Sequence, residues 1–153
     1  MTRKTKIHAE EDRHDLLITR EFDLPLELLF RAYAEKEIVE QWMGTHVVAQ
    51  DNRKFGNWHY QTSDGDGNIV FEAHGTFHDF VPNEKIIRTF EMINAPFDVQ
   101  LEFLEFTSLG EERSKLNMQI VYRTIELRNQ MLKLPFEYGL NMAHDKLEKL
   151  LTT

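Results

Sequence analysis

The stretch FGNWHYQTSDGDGNIVFEAHGTF, Phe55 to Phe77, decides the reading of this chain. Two aromatic-rich runs flank DGDG at 64–67, the turn chemistry of a β-hairpin. Residues two apart on a strand point the same way, so Trp58 and Tyr60 share a face. Pairing Ser63 with Asn68 makes partner numbers sum to 131. Tyr60 then faces Phe71, Trp58 faces Ala73 and Gly56 faces Gly75. The aligned face is Gly56, Trp58 and Tyr60 with Phe71, Ala73, Gly75 and Phe77. A slip of one residue would set it against Val70, Glu72, His74 and Thr76 instead. Glycines at one level in both strands predict a sharp bend, with the aromatics on the concave side. Those aromatics either fill an ordinary core or wall a cavity.

Outward from the hairpin the chain reads as strands and turns from 46 to 123, with strands near 46–51, 55–63, 68–80, 85–93, 97–106 and 113–123. Sequential hairpins of this kind predict an antiparallel meander. Before it, LLITREF at 16–22 reads as a first strand. DLPLELLFRAY follows, with Pro25 at a helix start, Glu27 in the first turn and Leu26, Leu29, Phe30 and Tyr33 at helical spacing. A second short helix at 35–42 carries Ile38, Val39 and Trp42, and Gly44 ends it. Residues 1–15 are charged throughout and read as a mobile tail or a frayed first strand.

The C-terminal run from Thr124 to Leu151 predicts a long helix with Thr124 as N-cap. Phe136, Leu140, Ala143, Leu147 and Leu150 form one apolar stripe. Leu127, Met131, Leu134, Tyr138 and Met142 form another, about 200° away on a straight helix. Pro135 predicts a kink that turns both segments toward the sheet. Without that rotation, Tyr138 and Met142 face a partner chain.

The chain has 153 residues, enough for one domain that buries roughly 68–70% of its unfolded surface. It has no cysteine, which excludes disulfides, thiol catalysis and cysteine-ligated zinc. A net charge of −8 argues against nucleic acid and anionic membrane surfaces as partners. No apolar run reaches the ~18 residues of a membrane span, and the N-terminus lacks the apolar core of a secretory signal. These features together predict a cytoplasmic protein.

The order of elements now matches residues of a known family. DLPLELLFRAYAEKEIVEQWMG, FGNWHYQTSDGDGN, AHGTFHDFVPNEKIIRTFE, TIELRNQ and EYGLNMAHDKLEKLL resemble, in that order, the conserved segments of proteins similar to the activator of the heat-shock-protein-ninety ATPase. These belong to the START-like, birch-pollen-allergen-like (SRPBCC) superfamily, and the resemblance covers about residues 16–152. It implies an α+β helix-grip fold: a curved antiparallel sheet of about six to seven strands wrapped around a long C-terminal helix, with an apolar cavity between them. It implies one ligand-binding domain, 16–153, and a hydrophobic small molecule or lipid as ligand. Phe55, Met43 and Leu140 depart from the family pattern at positions where a cavity mouth would be.

The expected cavity wall is Trp58, Tyr60, Phe71, Phe77, Phe90 and Trp42, and the expected mouth is Trp42 with the segment from Met131 to Phe136, with Leu140 beside it. Arg20 and Arg88 occupy alternating strand positions. The common place for them is the solvent face, and an inward one would need an anion, such as a ligand carboxylate. No cofactor or metal is expected. His74 and His78 are ~13 Å apart along a strand, and DGDGN has Ile69 and Gly75 where a calcium loop needs glycine and glutamate. No serine–histidine set and no phosphate-cradling glycine loop is present. Two alternatives accompany the binding reading. One is an interaction module, a chaperone co-factor or homodimer, and the other is a polyketide-cyclase-like enzyme.

Overall fold

The computed structural model describes residues 4–152. It contains β1 (Lys6–His8), β2 (Asp15–Phe22), α1 (Leu26–Ala34), α2 (Lys36–Met43), β3 (His46–Gln50), β4 (Asn57–Ser63), β5 (Ile69–Val81), β6 (Lys85–Met92), β7 (Gln100–Gly110), β8 (Arg113–Val121), α3 (Ile125–Lys133) and α4 (Phe136–Leu151). All eight strands form one curved antiparallel sheet in the order β1-β2-β8-β7-β6-β5-β4-β3. This is the expected α+β helix-grip architecture with one strand more than expected.

The additional strand lies in the segment expected to be a tail. β1 pairs with β2, with Ile7 opposite Ile18. Thr5 is buried, and its N–H donates to Asn141 Oδ1 of α4 at 2.9 Å. A short charged segment carries little hydrophobic signal, so its order depends on α4, far along the chain.

The two small helices start and stop where their residues dictate. Pro25 precedes α1, its carbonyl accepting from Leu28 and Leu29, and Glu27 lies in the first turn. Gly44 closes α2 in the left-handed conformation at φ 62°. Trp42 does not form a mouth. It is 3% exposed, and its indole N–H donates to the Ala32 carbonyl at 2.7 Å, clamping α2 to α1.

The β4–β5 register differs from the expected one by two residues. Trp58 faces Gly75, Tyr60 faces Ala73 and Thr62 faces Phe71, while Ser63 pairs with Ile69 across a bulge. The Asp64 carboxylate accepts from the N–H groups of Asp66 and Asn68, so the loop takes one residue more than expected. The bulge takes the second. An even shift preserves parity, so Trp58 and Tyr60 keep the concave face. Phe71 keeps that parity but slides toward the hairpin tip, opposite Thr62, where it is 37% exposed and outside the core.

The C-terminal run breaks into two helices. Thr124 caps α3 by accepting from Leu127 N–H at 3.1 Å, as expected. The backbone leaves helical geometry at Leu134, and Pro135 starts α4. The break does not turn both stripes inward. Leu147 is buried, and Phe136, Leu140, Ala143 and Leu150 pack against the core. Leu134, Tyr138 and Met142 are 49%, 69% and 53% exposed.

Candidate functional site

The interior is divided into two apolar clusters. One gathers Phe22, Leu29, Phe30, Tyr33, Trp42, Trp58, Tyr60, Phe77, Leu104 and Leu147. The other gathers Leu16, Ile18, Ile120, Tyr122 and Met131. Met92 and Met118 pack against both. α4 spans the division: Ala143, Leu150 and Leu151 reach the first cluster, while Phe136 and Leu140 reach the second. Phe90, Met92, Met118, Phe136, Leu140 and Ala143 are only half-buried, although strand and helix enclose them. Close packing normally removes such side chains from water.

Of the nine residues expected to form the site, the structure brings Trp58, Tyr60 and Phe90 into direct contact. The Trp58 ring is 4.8 Å from Tyr60 and 5.3 Å from Phe90. Phe77 lies in the same cluster but packs edge-on against Phe80, 5.1 Å away. Met131, Phe136 and Leu140 belong to the second cluster. Trp42 sits in the first cluster, edge-on to Tyr33, whereas Met131 and Phe136 belong to the second. Phe71 joins neither cluster.

Sequence reasoning singled out Arg20 and Arg88 but favoured the solvent face for them, and it missed Gln100, Glu102 and His144. Arg88 and Arg20 both point inward, contrary to the common placement. The Arg88 Nε donates to Glu102 Oε1 at 2.8 Å, and Gln100 Nε2 donates to Glu102 Oε2 at 2.9 Å. The Arg88 guanidinium carbon lies over the Trp58 ring at 4.9 Å. The Trp58 indole N–H donates to the Thr89 carbonyl at 3.1 Å, and Tyr60 Oη donates to Gln50 Oε1 at 3.0 Å. Arg20 meets Asp145 at 2.9 Å and Glu148 at 3.4 Å, both from α4. The anions these arginines need are therefore carboxylates of the chain itself.

Burial sets the ionisation of the neighbours. The phenols of Tyr33, Tyr60 and Tyr122 are held above their ordinary range by loss of solvent. His144 is buried between Thr5 and Tyr33, with Thr5 Oγ1 2.6 Å from Nδ1 and Tyr33 Oη 3.3 Å from Nε2. Loss of solvent, then the charge of Arg20, push its ring down to about 3, so it is neutral at physiological pH. Both its ring nitrogens and both Glu102 oxygens are engaged in hydrogen bonds.

The histidines of β4 and β5 face the outer side. His59 Nε2 lies 2.6 Å from Glu72 and His74 Nε2 lies 2.8 Å from Glu91. Among the described residues no group of three or more His, Cys, Asp or Glu side chains is arranged to hold a metal, and no helix is long and apolar enough to cross a membrane. An outer cleft of about 540 Å³ between β1 and α4 is lined by Thr5, Ile7, Tyr138 and Asn141 and contains none of the nine expected site residues.

A curved antiparallel sheet closed by a C-terminal helical segment is the helix-grip architecture of START-like proteins. The chain belongs to the family described as "Activator of Hsp90 ATPase homolog 1-like protein", which matches residues 23–152. Among solved structures it is similar to protein Ms6760 from Mycobacterium smegmatis, with 21% identity, a TM-score of 0.85 and 97% of each chain covered. It is also similar to a protein from Rhodobacter sphaeroides, with 17% identity, a TM-score of 0.86 and 97% of this chain and 99% of that one covered. CalU16 from Micromonospora echinospora is similar at 16% identity and a TM-score of 0.69, covering 98% of this chain and 83% of that one. At these identities the likeness establishes the fold. No protein of curated function matches the sequence.

Proposed function

We propose that the chain binds a hydrophobic small molecule between the concave face of the sheet and the α3–α4 segment. The observation that supports this reading is the seam between the two clusters, where Phe90, Met92, Met118, Phe136, Leu140 and Ala143 stay half-buried. Apolar walls with a few convergent polar groups are the usual form of a small-molecule site. In this reading Trp58, Tyr60 and Phe77 form the rigid back of the site, and Phe90, Met131, Phe136 and Leu140 contact the guest. The guest enters at the α3–α4 break, where Leu134 is exposed. The cytoplasmic setting read from the composition belongs to the same proposal.

A thermal-shift screen of fatty acids, sterols, flavonoids and aromatic acids tests it, with native mass spectrometry of the purified protein. A ligand at 100 times its Kd stabilises the fold by about 2.7 kcal/mol. The expected result is a saturable rise for one class, abolished in Leu140→Trp. No rise from any class, with no co-purified compound, overturns the reading.

The exposure of Leu134, Tyr138 and Met142 favours a second reading, a homodimer or partner-protein contact through the outer side of α3–α4. Sedimentation equilibrium decides the homodimer. A dimer that Tyr138→Glu and Met142→Glu dissociate supports it, and a monomer at every accessible concentration removes it.

A further inference from the structure

We propose that the guest carries a neutral oxygen acceptor, a carbonyl or ether, that takes the hydrogen of the Tyr122 phenol. The inference rests on the binding reading above and narrows it to one chemistry. Tyr122 is 3% exposed, and its Oη has no hydrogen-bond partner. Buried hydroxyls are almost always paired, and one left unpaired weakens the fold relative to a phenyl ring of the same shape. Tyr122 belongs to the second cluster, the one that Phe136 and Leu140 of α4 pack against. The unpaired donor therefore sits in the part of the interior assigned to the guest.

The surrounding charges select a neutral acceptor over a carboxylate. The β7–β8 register sets Leu101 opposite Val121, which brings Gln100 and Glu102 alongside Tyr122. Glu102 is already neutralised by Arg88 and also accepts from Gln100. Arg20 is matched by Asp145 and Glu148. Arg128, a third buried guanidinium, directs Nη1 to the carbonyls of Glu10 and Asp15 and Nε and Nη2 to Asn129 Oδ1. A second carboxylate would add an anion beside Glu102 with its cation already taken. A carbonyl adds no charge and completes the phenol.

Three naphthalene probes test this on wild type and Tyr122→Phe: 2-acetylnaphthalene, its hydrocarbon analogue 2-isopropylnaphthalene, and 2-naphthoate. Wild type is expected to bind both neutral probes and to bind the ketone more tightly than the naphthoate. Tyr122→Phe is expected to weaken the ketone about 5- to 10-fold, the worth of one neutral hydrogen bond, and to leave the hydrocarbon within about 2-fold. The ligand-free variant should melt at the wild-type temperature or higher, since it loses an unpaired hydroxyl. An equal change for both neutral probes, a naphthoate tighter than the ketone, or a lower melting temperature overturns the acceptor assignment and leaves the binding reading standing. Failure of wild type to bind either neutral probe overturns the acceptor assignment, and only a flat thermal-shift screen with no co-purified compound overturns the binding reading as well.

Discussion

Arg88 and Glu102 are joined Nε to Oε1 at 2.8 Å on the concave face, with side chains 4% and 3% exposed. β6 and β7 set them directly opposite each other. Removing one partner of such a pair strands a charge away from water, at a cost of about 3–5 kcal/mol. Replacing both by apolar residues removes the desolvation of both. Glu102→Leu alone should therefore lower stability by that amount in urea unfolding, and Arg88→Met with Glu102→Leu should recover most of the loss. A double variant as unstable as the sum of the singles would show that the two act independently.

His144 makes stability depend on acid. Its ring titrates near 6.5 in an unfolded chain and is pushed down to about 3 when folded. Above pH 6.5 neither state binds a proton there and the full stability is present. Between pH 6.5 and 3 the unfolded chain binds a proton that the folded ring refuses, so stability falls as pH falls, by up to about 5 kcal/mol. Asp15 adds to the loss lower down. The Arg13 hydrogen bond holds its carboxyl well below the usual range, so its contribution is lost as pH falls below about 4. His144→Gln should flatten the slope between pH 6.5 and 4 in denaturant titrations. An unchanged slope would assign it to other groups.

Gly75 tolerates no side chain. A Cβ there would stand 1.9 Å from the Thr89 carbonyl oxygen and 2.6 Å from the Trp58 indole nitrogen, which are hydrogen-bonded to each other. Relief requires moving either the β6 backbone or Trp58. Gly75→Ala should cost about 3 kcal/mol and alter the Trp58 fluorescence. A variant as stable as wild type, with unchanged emission, would contradict the close approach.

Phe55 is held at φ 68°, a left-handed conformation that costs a side chain about 1–2 kcal/mol, and its ring is 67% exposed. Phe55→Gly should raise stability by up to about 1 kcal/mol, since the relieved strain exceeds the added freedom of the unfolded chain. Differential scanning calorimetry should show a melting temperature higher by a few degrees. A lower one would mean that the exposed ring makes contacts worth more than the strain.

The hairpin was legible because its signals are local. DGDG marks the turn, and alternation assigns Trp58 and Tyr60 to one face whether the loop holds four residues or five with a bulge. The inward polar groups were not legible, for a local reason as well. QLEFLEF at 100–106 places apolar residues at both parities, so nothing in β7 says which face Glu102 takes. Its cross-strand partners Arg88 and Ile120 decide it. His144 lies within the apolar stripe of α4, one turn from Leu140 and one from Leu147. Its partners Thr5 and Tyr33 come from segments more than 100 residues away in sequence.

By itself the amino-acid order determined the succession of elements, the faces of the central hairpin and the caps of the helices, because each depends on neighbours within a few residues. Tertiary structure alone decided that two arginines turn inward onto carboxylates, that β1 is fastened to α4, and that Tyr138 and Met142 stay outside. Those outcomes depend on which distant groups meet, and meeting is set by strand register and by the rotation of a broken helix.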